Sequence, residues 1–430
     1  MAQPAEQTLD FLSVALTPEF RDDPYQFFSL LREHEPVHHT PFGVYLVSRH
    51  ADAAAIVRDP YLSTNQQNSE LFQAFAEANP RSEDNIDQMN DVVMLFKDPP
   101  DHTRLRGLVS KAFTPKMVER LRVRVQEIVD ERLDEVEARG DGRMDVVTDL
   151  AYPLPVVIIC ELLGVPPEDH ATFSAWSSEL AASIDPDPLI SPDQQVRIEA
   201  AGRAFLEYFS DLIERRRRSL RDDLLSALIE AEEGGDRLSE EELLGTALFL
   251  LIAGHETTVN LIGNGTLALL EHRDQLERLR GDPSLDRHAV EELLRFDSPV
   301  QLTQRITLDE YQVGDVTIPK GQNLVPLLGA ANRDPAEFAD PDRLDLGREN
   351  ANRHVAFGGG HHFCLGAALA RLEGAAAIGT LVRRFPDIEL AGEPVRRTTF
   401  TLRGLEHLPV VPVRTLYGCV MSYRRPLACA

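Results

Sequence analysis

The sequence predicts one large, mainly α-helical domain with a smaller β region. Helical periodicity is the first indication, because apolar residues recur every three to five positions through most of the first 300 residues, as at Val118, Leu121 and Val125. The second is a change to short alternating runs after that point. The third is that no repeat or long linker divides the 430 residues. A single domain over residues 1–414 is therefore expected, followed by a C-terminal tail at 415–430 to which no role is assigned.

The composition is that of an acidic globular protein. Hydrophobic residues make up 43% of the chain, which is enough to form a large core, so disorder is excluded as the main state. There are 44 Lys and Arg residues against 70 Asp and Glu residues, which gives a net charge of −26. Nucleic acids and anionic membranes are themselves negative and repel such a chain. Neither is expected as a partner.

The cysteines and the N-terminus predict a reducing compartment. Cys160, Cys364, Cys419 and Cys429 are too few and too scattered for a disulfide framework, and they form no C-x-x-C pair. The first ten residues, M-A-Q-P-A-E-Q-T-L-D, lack the basic start and the apolar run of a secretory signal. The cytoplasm is therefore the expected location.

The longest apolar segment is predicted to be a helix that begins after Ser239, where Ser239 and Glu242 form a capping-box pattern. Within residues 243–270 its only ionisable members are His255 and Glu256. The length would suit a membrane span, but a charge at the centre of a span costs roughly 3 kcal/mol and the flanks are acidic rather than basic. A helix through the middle of a globular protein is the better prediction, and its buried ionisable pair indicates a functional site.

Short alternating runs within residues 300–328 predict a small sheet beside the helices, and the segment P-K-G at 319–321 is a turn signal. A last helical pattern follows Gly366 and continues to about Arg384, ahead of Pro386. The β region is thus expected between the long apolar helix and this final helix.

A lone cysteine in a glycine-rich loop carries the strongest chemical signal. Residues 357–366 read F-G-G-G-H-H-F-C-L-G and lead directly into the final helix. Gly358, Gly360 and Gly366 would let the backbone approach a planar ligand, and the N-terminus of the helix favours the thiolate of Cys364. Cys364 is therefore predicted to be an anionic ligand.

Two other interpretations of this loop remain open on these residues alone. A buried structural cysteine in a turn is the simpler one. A zinc site is the other, since His361, His362 and Cys364 lie close together in sequence, but a fourth ligand at a recognised spacing is missing.

The segment F-G-x-G-x-H-x-C-x-G, complete at 357–366, resembles the haem-binding signature of the cytochrome P450 family. The resemblance extends over roughly residues 10 to 413 and implies the fold of that family, with haem b between a long central helix and the helix after the cysteine loop. It implies that Cys364 is the thiolate ligand of the iron and that Phe357, Gly358 and Gly366 belong to the haem-binding loop.

The same resemblance implies that His102, Arg106, Arg305 and His362 face the haem propionates. His102 and Arg106 lie one helical turn apart in the segment D-P-P-D-H-T-R-L-R at 98–106, a spacing suited to gripping carboxylates. Arg305 interrupts the apolar alternation of a predicted strand.

Residues 253–258, A-G-H-E-T-T, resemble the oxygen-activation motif of the family. Ala253 and Gly254 would leave a groove for dioxygen. Thr257 is expected to bind a ligand in that groove or the carbonyl four residues back, and Glu256 is expected to be the gate that admits protons.

A structural trio is also implied. The pattern E-x-x-R occurs four times, but only Glu292 with Arg295 lies about seventy residues before the cysteine. By the resemblance these two residues join Arg343, in F-A-D-P-D-R at 338–343, in a salt-bridged cluster that fixes the segment before the haem loop.

The expected function is that of a haem-thiolate monooxygenase acting on an apolar small molecule that resembles a polyketide, a terpenoid or a fatty acid. A peroxide-driven peroxygenase, a haem-binding sensor or carrier, and a zinc hydrolase are the alternatives. The substrate pocket is expected to include parts of Val92–Leu95 and of the segment 173–195. Its other members would be Phe249, Ile252, Gln301, Leu302, Thr401 and Leu402.

The electron source is expected to be a separate protein, because no complete dinucleotide fingerprint is present. The resemblance implies a ferredoxin and an NAD(P)H-dependent ferredoxin reductase. A chain of charge −26 would repel an acidic ferredoxin. Arg104, Lys111, Arg353 and Arg371 are therefore predicted to form a local positive patch around the cysteine loop.

Overall fold

The structure is a computed structural model that describes residues 14, 17–78, 92–185, 190–231 and 235–412. The predicted tail at 415–430 lies outside these residues. So do positions 186–189, which belong to the segment expected to contribute to the substrate pocket.

Helices form most of the described chain. They are α1 (Pro18–Asp22), α2 (Pro24–His34), α3 (His50–Arg58), α4 (Glu70–Ala78), α5 (Asp101–Ala112), α6 (Pro115–Arg139), α7 (Pro153–Leu162), α8 (His170–Ala181), α9 (Pro192–Arg218), α10 (Leu224–Glu230), α11 (Glu240–Glu271), α12 (Arg273–Gly281), α13 (Asp286–Phe296), α14 (Leu328–Ala331) and α15 (Ala367–Arg384). The capping box predicted at Ser239 and Glu242 is present at the start of α11.

The strands of the described residues are short and lie in four small sheets. They are β1 (Val37–His39), β2 (Val44–Val47), β3 (Leu62–Ser63), β4 (Met144–Asp145), β5 (Arg305–Thr307), β6 (Tyr311–Val313), β7 (Val316–Ile318), β8 (Asn323–Pro326), β9 (Glu389–Leu390), β10 (Val395–Arg396), β11 (Leu405–His407) and β12 (Pro409–Val411). The largest sheet has the order β1-β2-β8-β5-β3, with β2 and β8 parallel and the other pairs antiparallel. The β region predicted within 300–328 is therefore confirmed as β5 to β8.

Helix α11 runs through the centre of the main core, as the sequence predicts. It packs against α7, α8, α13 and α15, and almost every residue from Leu243 to Leu270 is buried or half-buried. Among the described residues it is the one helix long and apolar enough to cross a membrane, yet 72% of its most apolar window is buried inside the protein. It is apolar on all sides because neighbouring helices cover all sides.

The predicted salt-bridged trio forms with a different third member. Arg295 donates to Glu292 from Nε at 2.7 Å and from Nη2 at 2.9 Å, and both side chains are fully buried. The third guanidinium is that of Arg348, whose Nε lies 3.1 Å from Glu292 Oε1. Arg343 was the wrong choice: a turn that starts at Asp340, where φ is 45°, leaves its side chain exposed, and only its backbone carbonyl accepts from the cluster.

Candidate active site

The cysteine loop folds back on itself before α15. The N–H of Cys364 donates to the carbonyl of Phe357 at 3.0 Å. Gly358 and Gly360 have φ of +66° and +64°, a left-handed conformation that favours glycine, and the predicted approach of a planar ligand to them stays a prediction. Gly366 has φ of −80° and needs no glycine for its backbone. A Cβ atom there would meet no protein atom within 4 Å, which leaves room for a ligand to approach.

The sulfur of Cys364 lies in a site that stabilises a thiolate only in part. Burial raises the pKa of the thiol above its usual value. The N–H groups of Gly366 and Ala367 and the charges of Arg106 and Arg371 act in the opposite direction but do not outweigh burial. A bound cation would supply the missing charge, because a coordinating thiol loses its proton outright.

Basic side chains gather on one side of this loop. The ring of His102, on α5, lies 4.1 Å from the ring of His362 and 5.2 Å from that of His361. His102 is buried, and neither of its ring nitrogens has a hydrogen-bond partner. Arg106, one turn further along α5, donates from Nη2 to the carbonyl of Phe363 at 2.8 Å. The predicted pairing of His102 and Arg106 on one helix is therefore observed.

Arg305 completes the cluster from strand β5. It is buried, and it donates to the carbonyls of Val57 at 3.2 Å and Gln304 at 2.8 Å, so no carboxylate neutralises it directly. The nearby acid is Asp98, which already accepts from Ser63 and Thr64.

Burial without matching anions lowers the proton affinity of this cluster. It brings the pKa of His102 to about 4, of His362 to about 2 and of Arg305 to about 10, and the positive neighbours add to the effect on the two histidines. A ligand that brought two carboxylates would satisfy the orphaned nitrogens and offset these charges. The residues present therefore fit the propionate edge of a haem.

The zinc interpretation finds no support in this geometry. Within the ranges that the structure describes, no group of three or more His, Cys, Asp and Glu side chains is placed to hold a metal ion. His361 instead belongs to the basic cluster, a role that its sequence position did not indicate.

The middle of α11 presents a small opening. Ala253, Gly254 and Thr257 are only half-buried, whereas His255 and Glu256 between them are buried. The hydroxyl of Thr257 donates to the carbonyl of Ala253 at 3.0 Å, one of the two bonds predicted for it. These three residues are the more open positions of this turn, and the groove for dioxygen expected beside them stays a prediction.

Glu256 is buried and lies in a charged contact. Its Oε2 lies 2.8 Å from Nη1 of Arg397, and its Oε1 lies 3.3 Å from Nε2 of His255. Burial raises the pKa of Glu256, but His255 and Arg397 outweigh it and hold that pKa below its usual value. No pattern in the sequence indicated Arg397, because it lies about 140 positions further along the chain with no motif around it.

Four of the predicted pocket residues meet where two loops cross. The N–H of Gln301 donates to the carbonyl of Thr401 at 2.9 Å, and Val300 bridges to Leu402. Gln301 and Leu302 line a cavity of about 270 Å³ between these loops, α2 and the end of α8. Phe249 and Ile252 are half-buried on α11 and do not line this cavity.

The predicted positive patch is neutralised by acidic neighbours. Arg104 contacts Glu242 and also lies 3.4 Å from Asp236. Arg371 lies 2.5 Å from Glu291, and Arg353 lies 2.8 Å from Glu337. Lys111 is exposed. Arg104, Arg353 and Arg371 are thus held in ion pairs, and the prediction of a local positive patch from these residues is wrong.

Comparisons with known proteins agree with this geometry. The family model "Cytochrome P450" matches residues 32–282 and 285–401. Cytochrome P450 107B1 of Saccharopolyspora erythraea is 44% identical over 411 residues, which are 93% of this chain and 97% of that protein. The polyketide biosynthesis cytochrome P450 PksS of Bacillus subtilis is 41% identical over 404 residues, 91% of this chain and 96% of that protein.

A similar solved structure is that of P450BioI bound to an acyl carrier protein that carries hexadec-9Z-enoic acid. It has a TM-score of 0.85 and 38% identity, and it covers 92% of this chain and 99% of that one. The family model and the relatives both extend over almost the whole chain. The protein therefore binds haem b and is a monooxygenase, and the chain belongs to the cytochrome P450 family.

Proposed function

We propose that the protein inserts one oxygen atom of dioxygen into a C–H or C=C bond of an apolar small molecule, with Cys364 as the thiolate ligand of the haem. One observation carries this: a half-buried thiol faced by two backbone N–H groups lies beside basic side chains that lack matching acids. When bound, the haem supplies the redox chemistry that activates dioxygen.

The basic cluster would hold the other end of the cofactor. His102 and Arg106 from α5, Arg305 from β5 and His362 from the cysteine loop would bind the propionates, and the orphaned nitrogens of His102 would gain partners. Charge-assisted hydrogen bonds of this kind are roughly twice as strong as neutral ones. The cluster therefore orients the cofactor as well as retaining it.

Protons for the reaction would pass through α11. Thr257 lies at the groove and holds its hydroxyl on the carbonyl of Ala253, from which the hydroxyl can turn to a ligand. Glu256, one residue away and charged, would take protons from the far side of the helix. A sensor, a carrier or a peroxide-driven enzyme needs no such relay, so this pair favours the dioxygen reaction.

The substrate is proposed to be apolar, with a chain or ring system like that of a polyketide or a fatty acid. Phe249, Ile252, Leu302 and Leu402 would supply apolar contacts. The names of two relatives support this class, since one belongs to polyketide biosynthesis and another is bound to a fatty acid on a carrier protein.

Electrons are proposed to come from a ferredoxin and an NAD(P)H-dependent reductase in the cytoplasm. A docking site beside the cysteine loop would need an exposed cation that is not already paired. Arg58 meets this need: it is exposed, it makes no ion pair within the described residues, and a Cβ atom on Gly359 of the loop would lie 2.8 Å from its Cγ.

Labelled dioxygen tests the proposal. The purified protein, reconstituted with a ferredoxin, its reductase and NAD(P)H, should place one labelled oxygen atom in the product of a long-chain fatty acid and the other in water. Product that takes its oxygen from labelled water instead, or product formed only with peroxide, would contradict the dioxygen reaction.

A further inference from the structure

The hairpin of residues 395–407 contacts both the cavity and the side of α11 on which Glu256 lies. At its base, Arg396 and Arg403 pair with the buried Asp297 at 3.4 Å and 2.6 Å. At its tip, the backbone N–H groups of Phe400 and Thr401 donate to the carboxylate of Asp185, which follows α8. This hairpin therefore forms one wall of the cavity and is anchored at both ends.

Arg397, in the same hairpin, has hydrogen-bond donors for two anionic partners but contacts only one acid. Its Nη1 binds Glu256 at 2.8 Å, and its Nε donates to the carbonyl of Leu405 at 3.3 Å. Its Nη2 makes no hydrogen bond to any described residue, and the side chain is 20% exposed where it lines the cavity. Arg397 thus contacts Glu256 through its guanidinium and is also one of the residues that line the cavity.

The cavity suits a molecule with an apolar body and a negative end. Its volume is about 270 Å³, and aromatic rings of Phe20, Phe28 and Phe400 form part of its wall. Four arginines and one acid, Asp185, line it, and three of these arginines are paired with acids outside the lining, Asp297 and Glu256. These arginines are Arg21, Arg396, Arg397 and Arg403.

We propose that Arg397 couples ligand binding in this cavity to proton supply. A ligand carboxylate accepts hydrogen bonds from Arg397, the ion pair with Glu256 weakens, and Glu256 becomes free to take up a proton and pass it toward the groove. The proposal rests on the role proposed for Glu256 above. It makes Arg397 a positioning residue that acts through Glu256.

The surroundings of Glu256 give the expected direction. The groups that face it are His255 from its own helix, Tyr152 from the turn before α7 and Arg397 from the hairpin. Burial raises the pKa of Glu256, and only His255 and Arg397 counter it. An anion that binds Arg397 removes part of the positive charge that lowers the pKa of Glu256. That pKa therefore rises toward the range in which a carboxyl group serves as an acid and a base at neutral pH.

Infrared difference spectroscopy of the haem-loaded protein tests this directly. The C=O band of protonated Glu256 is identified by its loss in Glu256→Gln, and its pH titration is followed with dodecanoate or with dodecan-1-ol as the probe. Dodecanoate should raise the proton affinity of Glu256 at least tenfold, and dodecan-1-ol should not. In Arg397→Gln the proton affinity of Glu256 should be raised without any probe. In Arg397→Lys it should stay low and should still rise when dodecanoate is added.

The matched control is Arg139→Gln, which removes a cation that pairs with Asp149 outside the cavity and should retain the dodecanoate response. An equal response to the alcohol, a response that survives in Arg397→Gln, or no binding of dodecanoate in calorimetry would overturn the proposal. If Arg397→Gln fails to fold, the responses of the unmodified protein and of Arg397→Lys to the two probes still test the proposal. A normal band response together with unimpaired turnover by Glu256→Gln would refute only the relay role of Glu256.

Discussion

Thr257 is held at the edge of the groove by its own helix, since its hydroxyl donates to the carbonyl of Ala253. Thr257→Ala removes that hydroxyl without creating a large cavity. We expect ligand binding to stay nearly unchanged, while reducing equivalents are diverted into peroxide or water because protons reach the oxygen without control. The measurement is product formed per NAD(P)H consumed. An unchanged ratio would mean that Thr257 has only a structural role.

Glu373 is a buried acid that no motif indicated. It lies on α15, and neither of its carboxylate oxygens makes a hydrogen bond of good geometry. Burial raises its pKa to about 8, and the neighbouring hydroxyl of Thr258 offsets this only in part. The folded protein therefore keeps a proton that the unfolded chain loses near pH 4.

Stability should fall as pH rises between roughly 4.5 and 8, because in that window the unfolded state binds fewer protons than the folded state. The contribution of Glu373 to stability is fully present at pH values below its pKa in the unfolded chain. It is lost once the pH has risen to its pKa in the folded protein, and it amounts to at most about 5 kcal/mol. Glu373→Gln should flatten this dependence, as measured by unfolding midpoints at pH 5 and pH 8. Parallel pH curves for the two proteins would show that Glu373 does not titrate in this way.

At the level of elements, the segment before the cysteine loop depends on one buried ion cluster. Arg348→Ala leaves Glu292 with one of its two cations and should lower the free energy of unfolding by about 3 to 5 kcal/mol, because the charge that remains is buried. Arg343→Ala is the matched control. Its side chain is exposed, so its effect should stay within about 0.5 kcal/mol. Equal effects of the two substitutions in denaturant unfolding would contradict the assignment.

Local signals in the sequence were enough for the elements that carry the chemistry. The capping box at Ser239 and the helical spacing of His102 and Arg106 act within a few positions, and the structure has them as predicted. Contacts between distant segments could not be found in this way. Those contacts are the pairings of Glu256 with Arg397, Glu292 with Arg348, and Arg371 with Glu291.

For the whole molecule, the net charge of −26 opposes an acidic electron donor. Arg58 is exposed beside the cysteine loop, so Arg58→Glu should weaken ferredoxin binding and leave substrate binding unchanged. Both the binding and the effect of the substitution should decrease as salt is added, since exposed charges are screened over about 8 Å at physiological ionic strength. Reduction rates measured by stopped flow that respond neither to salt nor to Arg58→Glu would place the docking site elsewhere.

The central claim is that Cys364 is the thiolate ligand of the haem, and the spectrum of the ferrous carbon monoxide complex tests it most directly. The unmodified protein should hold one haem b and show the strongly red-shifted Soret band that thiolate ligation produces, and Cys364→His should lose that band even where haem is retained. The same red-shifted band in Cys364→Ser would contradict the assignment.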